Sequence, residues 1–154
     1  MLSHEVRTAI ADELVNAAAT RTPVPLLTQR YPEMEVADSY AVQNIWKQRG
    51  EESGRVVAGH KIGLTSKAMQ YATGITEPDY GVIFKDMIRE SGCALEWSAY
   101  TKPRVEMELA FLLKEDIEGP DATIFDVLRA TEYVVPALEI LDARVEMAGR
   151  TIVD

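Results

Sequence analysis

Three carboxylates and one lysine–aspartate pair are the side chains whose types and spacing could do chemistry. Glu106 and Glu108 lie in the alternating run Val105-Glu106-Met107-Glu108-Leu109. On a strand, residues i and i+2 share a face, roughly 6.5–7 Å apart. Two carboxylates so placed repel unless something positive sits between them. They form either the solvated face of an antiparallel strand or part of a cation site. Glu139 sits in Val134-Val135-Pro136-Ala137-Leu138-Glu139-Ile140-Leu141, which is apolar at both parities. Such a strand is expected to be buried on both faces. A buried carboxylate must then be protonated, paired with a cation such as Arg144 or Lys61, or bound to a metal. If the three glutamates converge, an all-oxygen donor set suits a hard cation, Mg²⁺ or Mn²⁺, with positions left open for water and substrate. It does not suit zinc. The only histidines, His4 and His60, lack metal-ligand spacing.

Lys61 falls in Gly59-His60-Lys61-Ile62-Gly63-Leu64-Thr65-Ser66-Lys67. The run has neither of the glycine spacings that cradle nucleotide phosphates. A lysine here is either a buried base or carboxylate partner, because burial lowers its pKa, or a side chain snorkelling from a strand edge. Asp79 lies in Glu77-Pro78-Asp79-Tyr80-Gly81, which reads as a turn. It caps that turn, or acts as a general acid or base if a pocket raises its pKa. Arg104 reads as a surface counter-charge. Cys93, the single cysteine, has no histidine near it in sequence and is a weak nucleophile candidate.

The elements that must carry these residues are legible from periodicity and punctuation. Val6, Ile10 and Leu14 place a helix over residues 3–20, capped by Ser3 and broken by Thr22-Pro23-Val24-Pro25. A second helix is expected from an Asp38 N-cap to Arg49, stopped by Gly50. Then come a strand over 55–62, a short helix over 66–73, a strand over 104–113, a helix from Thr123 to 130 and a strand over 133–141. The class is α+β. A helical segment, 1–54, precedes a β-rich portion, 55–154. No repeat or low-complexity segment is present.

The 154 residues are 47% hydrophobic and 27% charged, with a formal net charge of −9. That composition is ordinary for a globular chain and excludes a disulfide scaffold. An acidic chain without a basic cluster argues against nucleic-acid binding, and an anionic substrate would need a bridging cation. The acidic N-terminal segment does not read as a signal peptide, and no run approaches the ~18 apolar residues of a membrane span. A cytoplasmic location is expected.

The Gly59–Lys67 and Glu77–Gly81 runs resemble the 2-keto-4-pentenoate hydratase family, of the fumarylacetoacetate hydrolase superfamily. So do Pro103-Arg104-Val105-Glu106-Met107-Glu108-Leu109-Ala110-Phe111 and the stretch from Tyr133 to Arg144. Tyr31-Pro32-Glu33 and Asp38-Ser39-Tyr40-Ala41-Val42-Gln43 extend the likeness through nearly the whole chain. The resemblance implies a mixed β-sandwich roll behind the helical segment, with family chains continuing beyond residue 154. It implies Mg²⁺ or Mn²⁺ held by Glu106, Glu108 and Glu139, with Lys61 and Asp79 in proton transfer. It further implies a homo-oligomer that hydrates a 2-hydroxy-2,4-dienoate to a 4-hydroxy-2-oxo acid in aromatic meta-cleavage catabolism. The rival readings are a 4-oxalocrotonate-type decarboxylase with the same metal site, and an inactive structural subunit associated with a pathway decarboxylase.

Overall fold

A computed structural model describes residues 1–154, the side chain at position 73 excepted. The chain mixes helices with two small antiparallel sheets, each of two strands. It divides into two compact units, Met1–Thr101 with Ala143–Asp154, and Lys102–Asp142. The helical segment 1–54 and the first strand therefore lie in one unit. Among the described residues no helix is long and apolar enough to cross a membrane.

In the larger unit, α1 (His4–Thr20) begins where Ser3 Oγ accepts the Val6 N–H, as expected, and ends at Arg21 in the left-handed conformation. A one-turn helix, α2 (Leu27–Arg30), which periodicity did not suggest, follows the proline break. The long helix α3 (Val36–Glu52) corrects two expectations. Its N-cap is Glu35, and Asp38 sits three positions inside, reaching back to the Glu35 N–H at 3.0 Å as the far half of a capping box. Nor does Gly50 end the helix, which runs on to Glu52. A β-carbon at Gly50 would overlap Cζ of the fully buried Phe84. The glycine is there to admit a ring, which Trp46 meets edge-on at 4.9 Å.

The main core lies between α1 and α3. Leu2, Ile10, Ala11, Leu27, Met34 and Val42 are buried, with Val6, Leu14 and Ile45 packed against them. Asp38 is wholly buried at the edge of this core. Its carboxylate accepts from Leu2 N at 2.9 Å and from Arg7 Nε and Nη2 at 2.9 and 2.7 Å. Burial alone pushes this carboxyl up, but the hydrogen bonds from Glu35, Arg7 and Leu2 outweigh it and hold the group below the usual carboxylate range. A depressed folded-state pKa means the stability is present above the unfolded value, about 3.9, and is lost as pH falls through the folded value. Melting followed by circular dichroism from pH 7 to pH 2 should show this. Asp38→Asn should lower the neutral-pH midpoint by on the order of 10 °C, because it leaves Arg7 without its anion. It should also flatten the acid limb below pH 4. An unchanged acid limb would show that Asp38 does not carry it.

Also in the larger unit, β1 (Val57–Gly63) pairs antiparallel with β2 (Asp79–Phe84), and α4 (Lys67–Thr73), capped by Ser66, lies between them in sequence. The strand β2 starts inside the motif expected to be a turn, so Tyr80 and Gly81 are ladder residues.

In the smaller unit, β3 (Arg104–Leu113) pairs antiparallel with β4 (Thr131–Leu141), joined through α5 (Ile124–Ala130). Thr123 and Asp126 cap α5 reciprocally. The expectation that the strand carrying Glu139 is buried on both faces is overturned: Leu138 is 66% exposed and Val134 50%. The opposite strand behaves likewise, with Met107 at 90%. The reason is architectural. Within this unit a two-stranded ribbon has only the seven-residue α5 beside it, too little to cover two apolar faces.

Candidate metal centre and the Lys61–Asp79 pair

The β3–β4 register sets Glu106 directly opposite Glu139, and Glu108 opposite Ala137. Because strand side chains alternate, Glu106, Glu108 and Glu139 share one face, and Met107, Leu109 and Leu138 take the other. One carboxylate oxygen from each glutamate lies within 4.8 Å of the others. Glu106 and Glu108 are exposed and Glu139 is half-buried. At this spacing two full charges repel by about 1 kcal/mol in water, and by about 3–4 kcal/mol at an effective dielectric near 20. Like charges directly opposite each other across a ladder are destabilising. A divalent cation among them reverses that sign.

The donor set fits such an ion. It is all oxygen, contains neither imidazole nor thiolate, and keeps an exposed side open for water or substrate oxygens. Oxygens on a single Ca²⁺ stand up to about 5 Å apart and those on Mg²⁺ up to about 4 Å, so the smaller ion needs only a slight inward rotation of the side chains.

In the other unit, Lys61 on β1 faces Gly81 on β2, and Gly63 faces Asp79. Lys61 Nζ reaches diagonally to Asp79 Oδ1 at 3.1 Å, and the Gly63 N–H donates to the same oxygen at 3.2 Å. Both side chains are about one-third exposed or less. Of the two sequence readings of Lys61, carboxylate partner and snorkelling lysine, the first is observed. The carboxylate it meets is Asp79. Asp79 does not cap a turn of its own; it joins two strands.

Helix α3 supplies a wall that the candidate list from sequence lacked. Tyr40 stacks on Tyr80 at 4.6 Å, and its hydroxyl accepts the Tyr80 N–H at 3.4 Å. Gln43, one turn on, approaches Gly81. The signal available in sequence was the i, i+3 spacing of Tyr40 and Gln43 on the stripe that continues to Trp46. Cys93 is exposed, and Arg144 lies over the Trp46 ring at 5.6 Å.

The chain thus mixes helices and strands, with three convergent glutamates on one ribbon and a lysine–carboxylate pair on another. No family model matches the chain. Curated relatives and solved structures show similarity to it. It is 44% identical over 144 residues, 94% of its length, to the 2-oxo-hept-4-ene-1,7-dioate hydratase of Escherichia coli, of which it covers 54%. It is 39% identical, over the same fractions, to the 2-keto-4-pentenoate hydratase of Paraburkholderia xenovorans. Among solved structures, the 4-oxalocrotonate decarboxylase of Pseudomonas putida G7, complexed with magnesium and adipate, superposes with a TM-score of 0.93 at 31% identity. That match covers 99% of this chain and 58% of the other. The chain is similar to these hydratases along 94% of its own length and spans about half the length of the curated relatives it matches.

Proposed function

We propose that this chain serves a hydro-lyase reaction: addition of water to a 2-hydroxy-2,4-dienoate of the 2-oxohept-4-ene-1,7-dioate or 2-keto-4-pentenoate type, giving a 4-hydroxy-2-oxo acid in aromatic meta-cleavage catabolism. The observation that carries this reading is the convergence of Glu106, Glu108 and Glu139 in a chain 44% identical to a hydratase of that pathway. The fold assigned with it is the fumarylacetoacetate hydrolase type, the assembly a homo-oligomer, and the compartment the cytoplasm.

In this reading the three glutamates hold Mg²⁺ or Mn²⁺, by analogy with the magnesium of the decarboxylase structure. Bound there, the ion would supply Lewis acidity at the substrate's C1 carboxylate and C2 oxygen. Lys61 and Asp79 share the proton work. The 2-hydroxyl proton leaves and C5 gains one, which converts the dienol to a 2-oxo-3-enoate. Water then adds across C3 and C4, its oxygen to C4, because the C2 carbonyl withdraws electron density along the conjugated path. One member of the pair moves the dienol proton and the other activates the water. The lysine and the carboxylate are in hydrogen-bond contact, so a proton has a short path between them, which supports both duties.

A decarboxylase reading is favoured by one observation, the 0.93 superposition on 4-oxalocrotonate decarboxylase. Product analysis separates the two. Supplied with Mg²⁺, the chain should consume 2-hydroxypenta-2,4-dienoate and form 4-hydroxy-2-oxopentanoate, detected by mass spectrometry. It should release no CO₂ from 4-oxalocrotonate. CO₂ release alone would establish the decarboxylase. A folded, metal-binding chain that turns over neither would favour a structural subunit.

A further inference from the structure

We infer that Gly63 and Gly81 are positioning residues, a two-glycine slot that lets Lys61 lie across the β1–β2 ribbon onto Asp79. Glycine inside a strand weakens it and marks a bulge, a bend or a close approach. Neither residue adopts the positive φ for which glycine is chosen; the glycines that do are 54, 74, 92, 119 and 149. The reason here is space. The ladder pairs Lys61 with Gly81 and Gly63 with Asp79, so each charged residue faces a position without a side chain. Directly opposite side chains start about 5 Å apart and diagonal ones about 7–8 Å. The diagonal bond at 3.1 Å therefore needs the intervening room empty.

A β-carbon at Gly63 would overlap Asp79 Oδ1 and stand 2.9 Å from Lys61 Nζ, between the bonded groups. One at Gly81 would press the lysine stem, 3.3 Å from Cγ and 3.4 Å from Cε. Gln43 Oε1, 3.7 Å from that position, borders the same space. The third glycine of these strands, Gly59, has nothing within 4 Å of its β-carbon position and is the internal control.

The test is a set of thermal double-mutant cycles on the full chain, with kinetics beside them. Gly63→Ala should lower the melting midpoint by about 3–10 °C through overpacking. That loss should vanish in an Asp79→Ala background, where the blocked oxygen is gone. Gly81→Ala should behave the same way with Lys61→Ala. Gly59→Ala should cost nothing. A simple intolerance of strand β1 or β2 for alanine would not be rescued by shortening a side chain on the partner position. Equal losses in both backgrounds, or a Gly59→Ala loss as large as the other two, would overturn the inference.

The kinetic arm rests on the proposed hydration. There, Gly81→Ala should reduce kcat by on the order of 10²-fold, with KM changed less than about threefold, because misplacing a catalytic group by about 1 Å is costly. An inactive wild type would count against the proposed function and leave the cycles to decide the slot.

Discussion

Glu139→Gln and Glu106→Gln should each weaken Mg²⁺ or Mn²⁺ binding by on the order of 10–100-fold or more. Altered support around a metal ligand already costs that much, and here the ligand itself loses its charge. Glutamine keeps the volume and one oxygen, so the ribbon need not rearrange. Calorimetric titration of the variants beside the wild type measures the effect. A thermal assay checks it independently. At a free ion concentration 100 times its Kd, the wild type gains about 2.7 kcal/mol of apparent stability. A variant bound 100-fold more weakly gains about 0.4 kcal/mol at the same concentration. Without metal the order should reverse for Glu106→Gln. Glu106 faces Glu139 across the ladder, so neutralising Glu106 removes a repulsion, and metal-free Glu106→Gln should melt no lower than the wild type. Wild-type affinity in both variants would remove the metal centre from the account.

Lys61→Met and Asp79→Asn should each lower kcat for the dienoate by about 10²–10⁴-fold, the usual contribution of a positioned acid or base. Each replacement keeps nearly the same shape and removes the transferable proton or its acceptor. Metal affinity should stay at the wild-type value in both, because neither side chain belongs to the three-glutamate cluster. That separation distinguishes a proton-transfer role from general damage. The double variant should be little worse than the worse single one, since groups that act as a unit are strongly non-additive. Fully retained kcat in Lys61→Met would exclude the lysine from the reaction. A parallel loss of metal affinity would indicate that the substitution had disturbed the fold.

The elements that carry these groups differ in how far the sequence reveals them. The helix starts at Ser3 and Thr123 were readable because a side-chain oxygen before a periodic run satisfies free N–H groups wherever the helix packs. Asp38 and Gly50 were misread as cap and stop because each serves a distant partner. The carboxylate ties the N-terminal residues Leu2 and Arg7 to α3, and the glycine makes room for a ring on β2. Local propensity carries no record of Arg7 or Phe84. Strand β2 went unseen because its first residues, Asp79-Tyr80-Gly81, have turn composition, and only pairing with β1 makes them a strand. The apolar β4 was expected to be buried because apolar parity reports an affinity for burial. Burial itself needs a covering layer, which the smaller unit lacks.

By itself the sequence determined the chemistry available: three carboxylates, two of them two apart on an alternating strand, with no imidazole or thiolate spaced to join them, hence hard-cation chemistry if any. It also placed a lysine and an aspartate in short glycine-bearing runs. Only the tertiary structure decided that these groups meet. Side chains on a strand alternate, so a slip of one residue in the β3–β4 register would send Glu139 to the face opposite Glu106 and Glu108. The same slip in β1–β2 would place side chains where Gly63 and Gly81 leave room for the Lys61–Asp79 bond. Register is a long-range property, set by pairing between strands separated in the chain, and spacing within one strand does not encode it.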